Sequence, residues 1–256
     1  MNRHIWLFGR LVIAGSLALA GVVVCAQGPG RDLSGVDAAN TAQRRAGPEG
    51  RTPKESAPID LTGYWVSIVS EDWRFRMLTP ARGDFPDFLL NPEGTKVANA
   101  WDAAKDEAAK DHCKAYGAPN IMRVPGRFHI TWADDNTLKI DTDAGRQTRV
   151  LKFAPGPAGQ PSRQGQSIAK WERRALRVDT SNLLPSYAQY NGVPLSDKTT
   201  MYEYFDVIKE PGGEMWLIDD SVITDPTYHV RSIKRSTHLR KQADEKGWDP
   251  QPCLIR

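Results

Sequence analysis

Over 256 residues, 34 basic side chains nearly balance 31 acidic ones, for a formal net charge of +3. The two signs are interleaved along the chain without a basic block, which argues against nucleic acid as a partner. The three cysteines show no CxxC spacing and the histidines no HxxxH spacing, so no metal site is expected.

The chain opens with Arg3 and Arg10 ahead of an apolar core from Leu11 to Val24, and Val24-Cys25-Ala26 offers small residues at a cleavage point. This is the pattern of a secretory signal peptide over residues 1–26. An uncleaved anchor and an acylated Cys25 are the alternatives. The uninterrupted apolar run falls short of the ~18 residues of a spanning helix, so no membrane association is expected after cleavage. Cleavage leaves Cys113 and Cys253 as the only thiols, and an oxidising periplasm or extracellular space pairs them in one disulfide.

Residues 27–58 are rich in Gly, Pro, Arg, Ala and Ser, with almost no large apolar side chain. Such a segment buries too little surface to offset the entropy of ordering, and it reads as a flexible leader. A single domain is expected from 59 to 256.

Within it, Asp60 to Val69 alternates and is rich in aromatic and β-branched residues, which predicts a strand. Glu71 to Met77 alternates again, with Trp73, Phe75 and Met77 on one face, and predicts a second, half-polar strand. Asn91-Pro92-Glu93 supplies a cap, a first-turn proline and a first-turn acid, opening a helix towards Lys110; Asp102 caps a second short one. From Arg127 onward the alternation returns in segments 127–132, 137–142, 147–153, 165–172, 175–180, 199–209, 214–224 and 228–241, bounded by Gly, Pro, Asn or Asp. The prediction is an all-β, antiparallel domain with one or two short helices on its outside or mouth. An open sheet this wide would leave long edges, so closure into a barrel is favoured.

Candidate site residues are polar groups whose strand phase sets them among apolar ones. Glu203 shares a face with Met201, Phe205 and Val207. It is either a catalytic acid or base in an apolar lumen or a structural carboxylate paired with an arginine. On the catalytic reading, Glu203→Gln should leave folding intact. Asp219 and Asp220 take opposite faces, so one looks inward; Asp220, in phase with Trp216, Ile218 and Val222, is the ligand-binding candidate. His129 and His238 are candidate partners of Glu203 because imidazole titrates near neutrality, and each is equally readable as a solvent-facing or core histidine. Arg123 and Arg127 are placed to stabilise negative charge. Trp65, Trp73, Trp132, Tyr202, Tyr204 and Trp216 fall on predicted strands, as core or as the lining of an apolar pocket. No nucleophile elbow, phosphate loop or dinucleotide fingerprint occurs, and no cofactor is expected.

Gly63-x-Trp65 at the head of the first strand resembles the start of a lipocalin, with Gly63 bending the chain under a barrel and Trp65 plugging its end. A longer pattern covers most of the domain: Asp60-Leu61-Thr62-Gly63-Tyr64-Trp65, Cys113-x3-Gly117-x-Pro119-x-Ile121-Met122-x2-Pro125, Gly165-x-Ser167-x3-Trp171-Glu172, Leu176-x-Val178-x-Thr180, Asn191-Gly192-x-Pro194-x-Ser196 and Thr224-Asp225-Pro226. It resembles a family of exported bacterial proteins of unassigned function with a lipocalin-like barrel. The resemblance implies fold and export; it does not imply a reaction. Two functions follow as expectations. One is binding of a small apolar or aromatic compound in the barrel. The other is a cofactor-independent lyase or isomerase using Glu203 with His129 or His238. An interaction domain with a filled core is the third reading, and the oligomeric state is left open.

Overall fold

A computed structural model of the chain describes residues 50–255. The expected signal peptide, residues 1–26, and residues 27–49 of the expected leader lie outside the described residues. Residues 52–58 already make specific contacts: Thr52 and Glu55 exchange cap-like hydrogen bonds, and Lys54 N donates to Asp135 O at 3.2 Å. Trp171 Nε1 donates to Pro53 O at 2.8 Å, so this stretch lies over one end of the domain.

The strands are β1 (Gly63–Ile68), β2 (Arg127–Asp134), β3 (Thr137–Thr142), β4 (Ala144–Gly145), β5 (Thr148–Lys152), β6 (Gln166–Glu172), β7 (Ala175–Ser181), β8 (Ser186–Gln189), β9 (Val193–Leu195), β10 (Thr200–Lys209), β11 (Met215–Thr224), β12 (Ile233–Lys241) and β13 (Gln251–Pro252). Nine of them close a barrel in the order β1-β12-β11-β10-β7-β6-β5-β3-β2. Closure pairs β1 on both edges, Trp65 with Lys241 and with Phe128. Gly63, at φ 105°, starts β1 in a conformation that favours glycine.

The sheet is mixed rather than purely antiparallel. β5 and β6 run parallel, with Leu151 opposite Ser167, because the Pro/Gly-rich segment 153–165 carries the chain back along the barrel before it rejoins. The segment 71–77, expected as a strand, is instead the short helix α1 (Trp73–Met77). Over so few residues an alternating pattern does not separate the two periods, and here only Arg76 turns inward. The expected helical region forms α2 (Pro92–Asn99), with Asn91 accepting from Gly94 N at 2.8 Å, and α3 (Ala103–Ala108), with Asp102 accepting from Ala104 N at 3.0 Å. A further turn of helix, α4 (Ala118–Ile121), precedes β2.

Inward phases match the sequence pattern: Trp65, Phe128, Ile140, Leu176, Phe205 and Leu217 are each at most 1% exposed. Trp65 Nε1 donates to Leu61 O at 2.9 Å, which satisfies the one polar atom that its burial would otherwise strand. A smaller apolar cluster, built on Leu183, Val193, Leu195, Met201 and Ile223 and covered by Phe85, Phe88 and Leu90, lies at the other end, by the β8–β9 hairpin. Cys113 and Cys253 form a disulfide across 140 positions of sequence, beside the parallel β4–β13 pairing that holds the C-terminal arm.

Candidate functional site

A cleft of about 610 Å³ opens where β1 ends and β12 begins. After Ile68 the chain turns at Asp72, whose φ of 49° starts α1. The helix directs Phe75 and Arg76 to the cleft and leaves Trp73 and Met77 60% and 52% exposed. Arg76 is 2% exposed; its Nε donates to Arg123 O at 3.0 Å, and its Nη1 donates to Ile68 O and to the Glu71 carboxylate. Its Nη2 is buried without an acceptor among the described residues.

Arg123 comes from the turn after α4 and donates through Nη2 to Asp72 at 2.6 Å. Arg235 faces inward from β12, where Nη2 donates to Ala188 O at 2.6 Å and Nη1 to Asn120 Oδ1 and Pro119 O; its guanidinium lies 5.4 Å from the Phe88 ring centroid. Five cationic side chains, Arg76, Arg123, Arg231, Lys234 and Arg235, face two carboxylates, Asp72 and Asp87, around the cleft, with Phe75, Phe88 and Ile233 as its apolar part. Burial lowers the pKa of Arg76 and of Arg235, and the Arg123 charge lowers both further.

Below the cleft the barrel interior carries a second set of polar residues. Glu203, 0% exposed, receives two parallel hydrogen bonds from Arg149, also 0% exposed. Asp219 points inward nearby, and burial, reinforced by the Glu203 carboxylate, pushes its carboxyl well above the ordinary carboxylate range, with Arg149 and Arg123 opposing. Asp219 Oδ1, Thr237 Oγ1 and Arg149 Nε are buried there without a hydrogen-bond partner among the described residues.

Of the residues singled out in the sequence, Arg123 alone lines the cleft. Glu203 is inward as its phase predicts, and it is held by an arginine. His129 stacks on Tyr64 at 4.0 Å between ring centroids, and His238 lies beside Trp216 and 3.9 Å from Glu71. Both histidines take the strand phase opposite to the inward residues Ile130 and Leu239, so neither converges with Glu203. Asp220 is exposed and Asp219 is its inward neighbour. Tyr202 and Tyr204 are outward-facing neighbours of Arg177, which donates to Tyr204 Oη at 2.8 Å. Trp65 is core, Trp73 is exposed on α1, and Trp132 stacks with Phe153 at 5.5 Å. Arg127 lies in a separate shallow groove, 3.8 Å from Asp143.

Arg76, Arg235 and Asp219 were not among the residues picked from the sequence. Asp219 was legible only as one of two alternatives, and the arginines converge from positions 76, 123 and 235, with no local motif to mark them. No known protein family, curated protein or solved structure matches the chain.

Proposed function

We propose that this protein is an exported, lipocalin-like barrel that binds a small apolar or aromatic compound, seated in the cleft at the mouth of the barrel. The observation that carries the reading is the cleft itself. Its volume, about 610 Å³, falls within the range of roughly 300–1,000 Å³ common to small-molecule sites, and Phe75, Phe88 and Ile233 supply an apolar wall beside fixed polar groups. The interior beyond it is occupied by side chains such as Phe128, Leu176 and Phe205, which favours the mouth over the lumen as the seat. Export rests on the N-terminal sequence, and a disulfide fits an oxidising compartment.

A lyase or isomerase is the second reading. It is favoured by one observation, the inward Asp219 carboxyl beside the Arg149–Glu203 pair, which burial pushes well above the ordinary carboxylate range. Native mass spectrometry of protein purified from the periplasm tests binding directly: a co-purified small molecule is expected. Phe88→Ala should weaken retention of that molecule, and a preparation with no bound compound and no response to a panel of aromatic compounds would remove the proposal.

A further inference from the structure

We infer that the compound taken by this cleft carries an oxyanion, a carboxylate or a phosphate, held by Arg76, Arg123 and Arg235. The inference rests on the reading of the cleft as a small-molecule site, and it names the chemistry of the guest.

Three guanidinium groups from three separate elements meet at one cleft. Like charges repel, and more so where water is partly excluded, so the cluster costs the fold stability unless something offsets it. The compensation within the described residues is partial. Glu71 takes Arg76 Nη1 and Asp72 takes Arg123 Nη2. Arg235 makes its hydrogen bonds to neutral oxygens, of Pro119, Asn120 and Ala188, and has no carboxylate oxygen within salt-bridge distance among the described residues. Arg76 Nη2 is buried and has no acceptor among the described residues, although a buried donor normally has one.

A carboxylate or phosphate entering the cleft supplies negative charge that the three arginines otherwise find only in part. Its oxygens accept from the planar forks of guanidinium groups, a geometry that a lysine cannot reproduce. The rest of the guest then lies along Phe75, Phe88 and Ile233. The hydrogen bonds to backbone oxygens fix the Arg76 and Arg235 side chains before the ligand arrives, so little rotamer entropy is lost on binding.

The test is calorimetric titration of the mature chain with three probes of one shape: 2-naphthoate, 2-naphthyl phosphate and the neutral 2-naphthamide. At least one of the two anions should bind on the order of ten-fold or more tighter than the amide, with an affinity that falls as salt rises. Preference between the two anions separates carboxylate from phosphate chemistry. Arg235→Gln should cut the preference several-fold by weakening the anions far more than the amide, and Arg123→Gln provides the same readout if Arg235→Gln does not fold. Equal affinities for charged and neutral probes would overturn the oxyanion subsite and leave the small-molecule reading standing. If no probe bound, both would fall.

Discussion

Arg149 and Glu203 join β5 to β10 across the barrel interior through two parallel hydrogen bonds, Nη1 to Oε1 at 2.8 Å and Nη2 to Oε2 at 2.6 Å. The two strands are not neighbours in the wall; β6 and β7 stand between them. The pair is therefore a strut, and its loss from one side strands a charge in the core. Glu203→Gln, expected from the catalytic reading to fold normally, is on this geometry expected to cost about 3–5 kcal/mol. Arg149→Met combined with Glu203→Leu should cost markedly less, because no charge is left unpaired. Urea denaturation of the three proteins checks this, and a single variant as stable as the parent would contradict the strut.

Asp219 gives stability a dependence on pH with a definite sign. Its carboxyl titrates higher in the folded barrel than in the unfolded chain, because burial and Glu203 disfavour the charged form. Between those two values the folded state holds the extra proton, so this group's contribution falls as pH rises. Asp219→Asn should flatten the fall in denaturation midpoint as pH rises above the ordinary carboxylate range. Parallel pH profiles for the two proteins would rule the effect out.

Asp225 contributes with the opposite sign. Its carboxylate accepts from Thr227 N and Tyr228 N at 2.8 Å each, from Thr199 Oγ1 at 2.7 Å, and from Ser196 N. Burial raises its pKa, but these donors together outweigh that and leave it below the ordinary value. Its stabilisation is present above the unfolded carboxylate pKa and is lost as pH falls through the folded one. Asp225→Ala should cost at least about 2 kcal/mol near neutral pH, since it leaves several donors unpaired. The penalty should shrink in acid, which thermal melts across pH will show.

The Cys113–Cys253 disulfide closes a loop spanning 140 positions. By the chain-entropy argument, opening a loop of this length removes about 4–5 kcal/mol, an upper-end figure. Dithiothreitol should lower the melting midpoint of the parent and leave that of a Cys113→Ser/Cys253→Ser variant unmoved. A midpoint indifferent to reductant would show that the bond contributes nothing to stability.

Alternation made the wall legible: the inward sets Phe128 and Ile130, Glu203 and Phe205, and the turns between β10 and β11 follow from residue order alone. The caps at Asn91 and Asp102 were legible for the same reason, since a cap is a local pattern. What failed was either too short or too distributed. Five residues of α1 alternate as well as a strand would, and the β8–β9 hairpin, with its Pro and few alternating positions, gave no period to read. The β5–β6 pairing depends on where the chain returns after a long loop, which no local preference encodes. The cleft is distributed in the same way: Arg76 was on a segment read as a strand, and Arg235 was one charged residue in a strand that also carries Lys234 and Arg240.

The double pairing of β1 sets an order on assembly. One of its edges is matched by β2, the next barrel strand in chain order, but the other is matched only by β12, the last of the nine, whose Lys241 meets Trp65. Until that last partner has been synthesised, β1 keeps a row of open peptide groups available to any passing strand. Closure is thus tied to synthesis through β12, and a fragment ending before Ile233 would remain an unsealed sheet, slow to settle and prone to associate with its own kind.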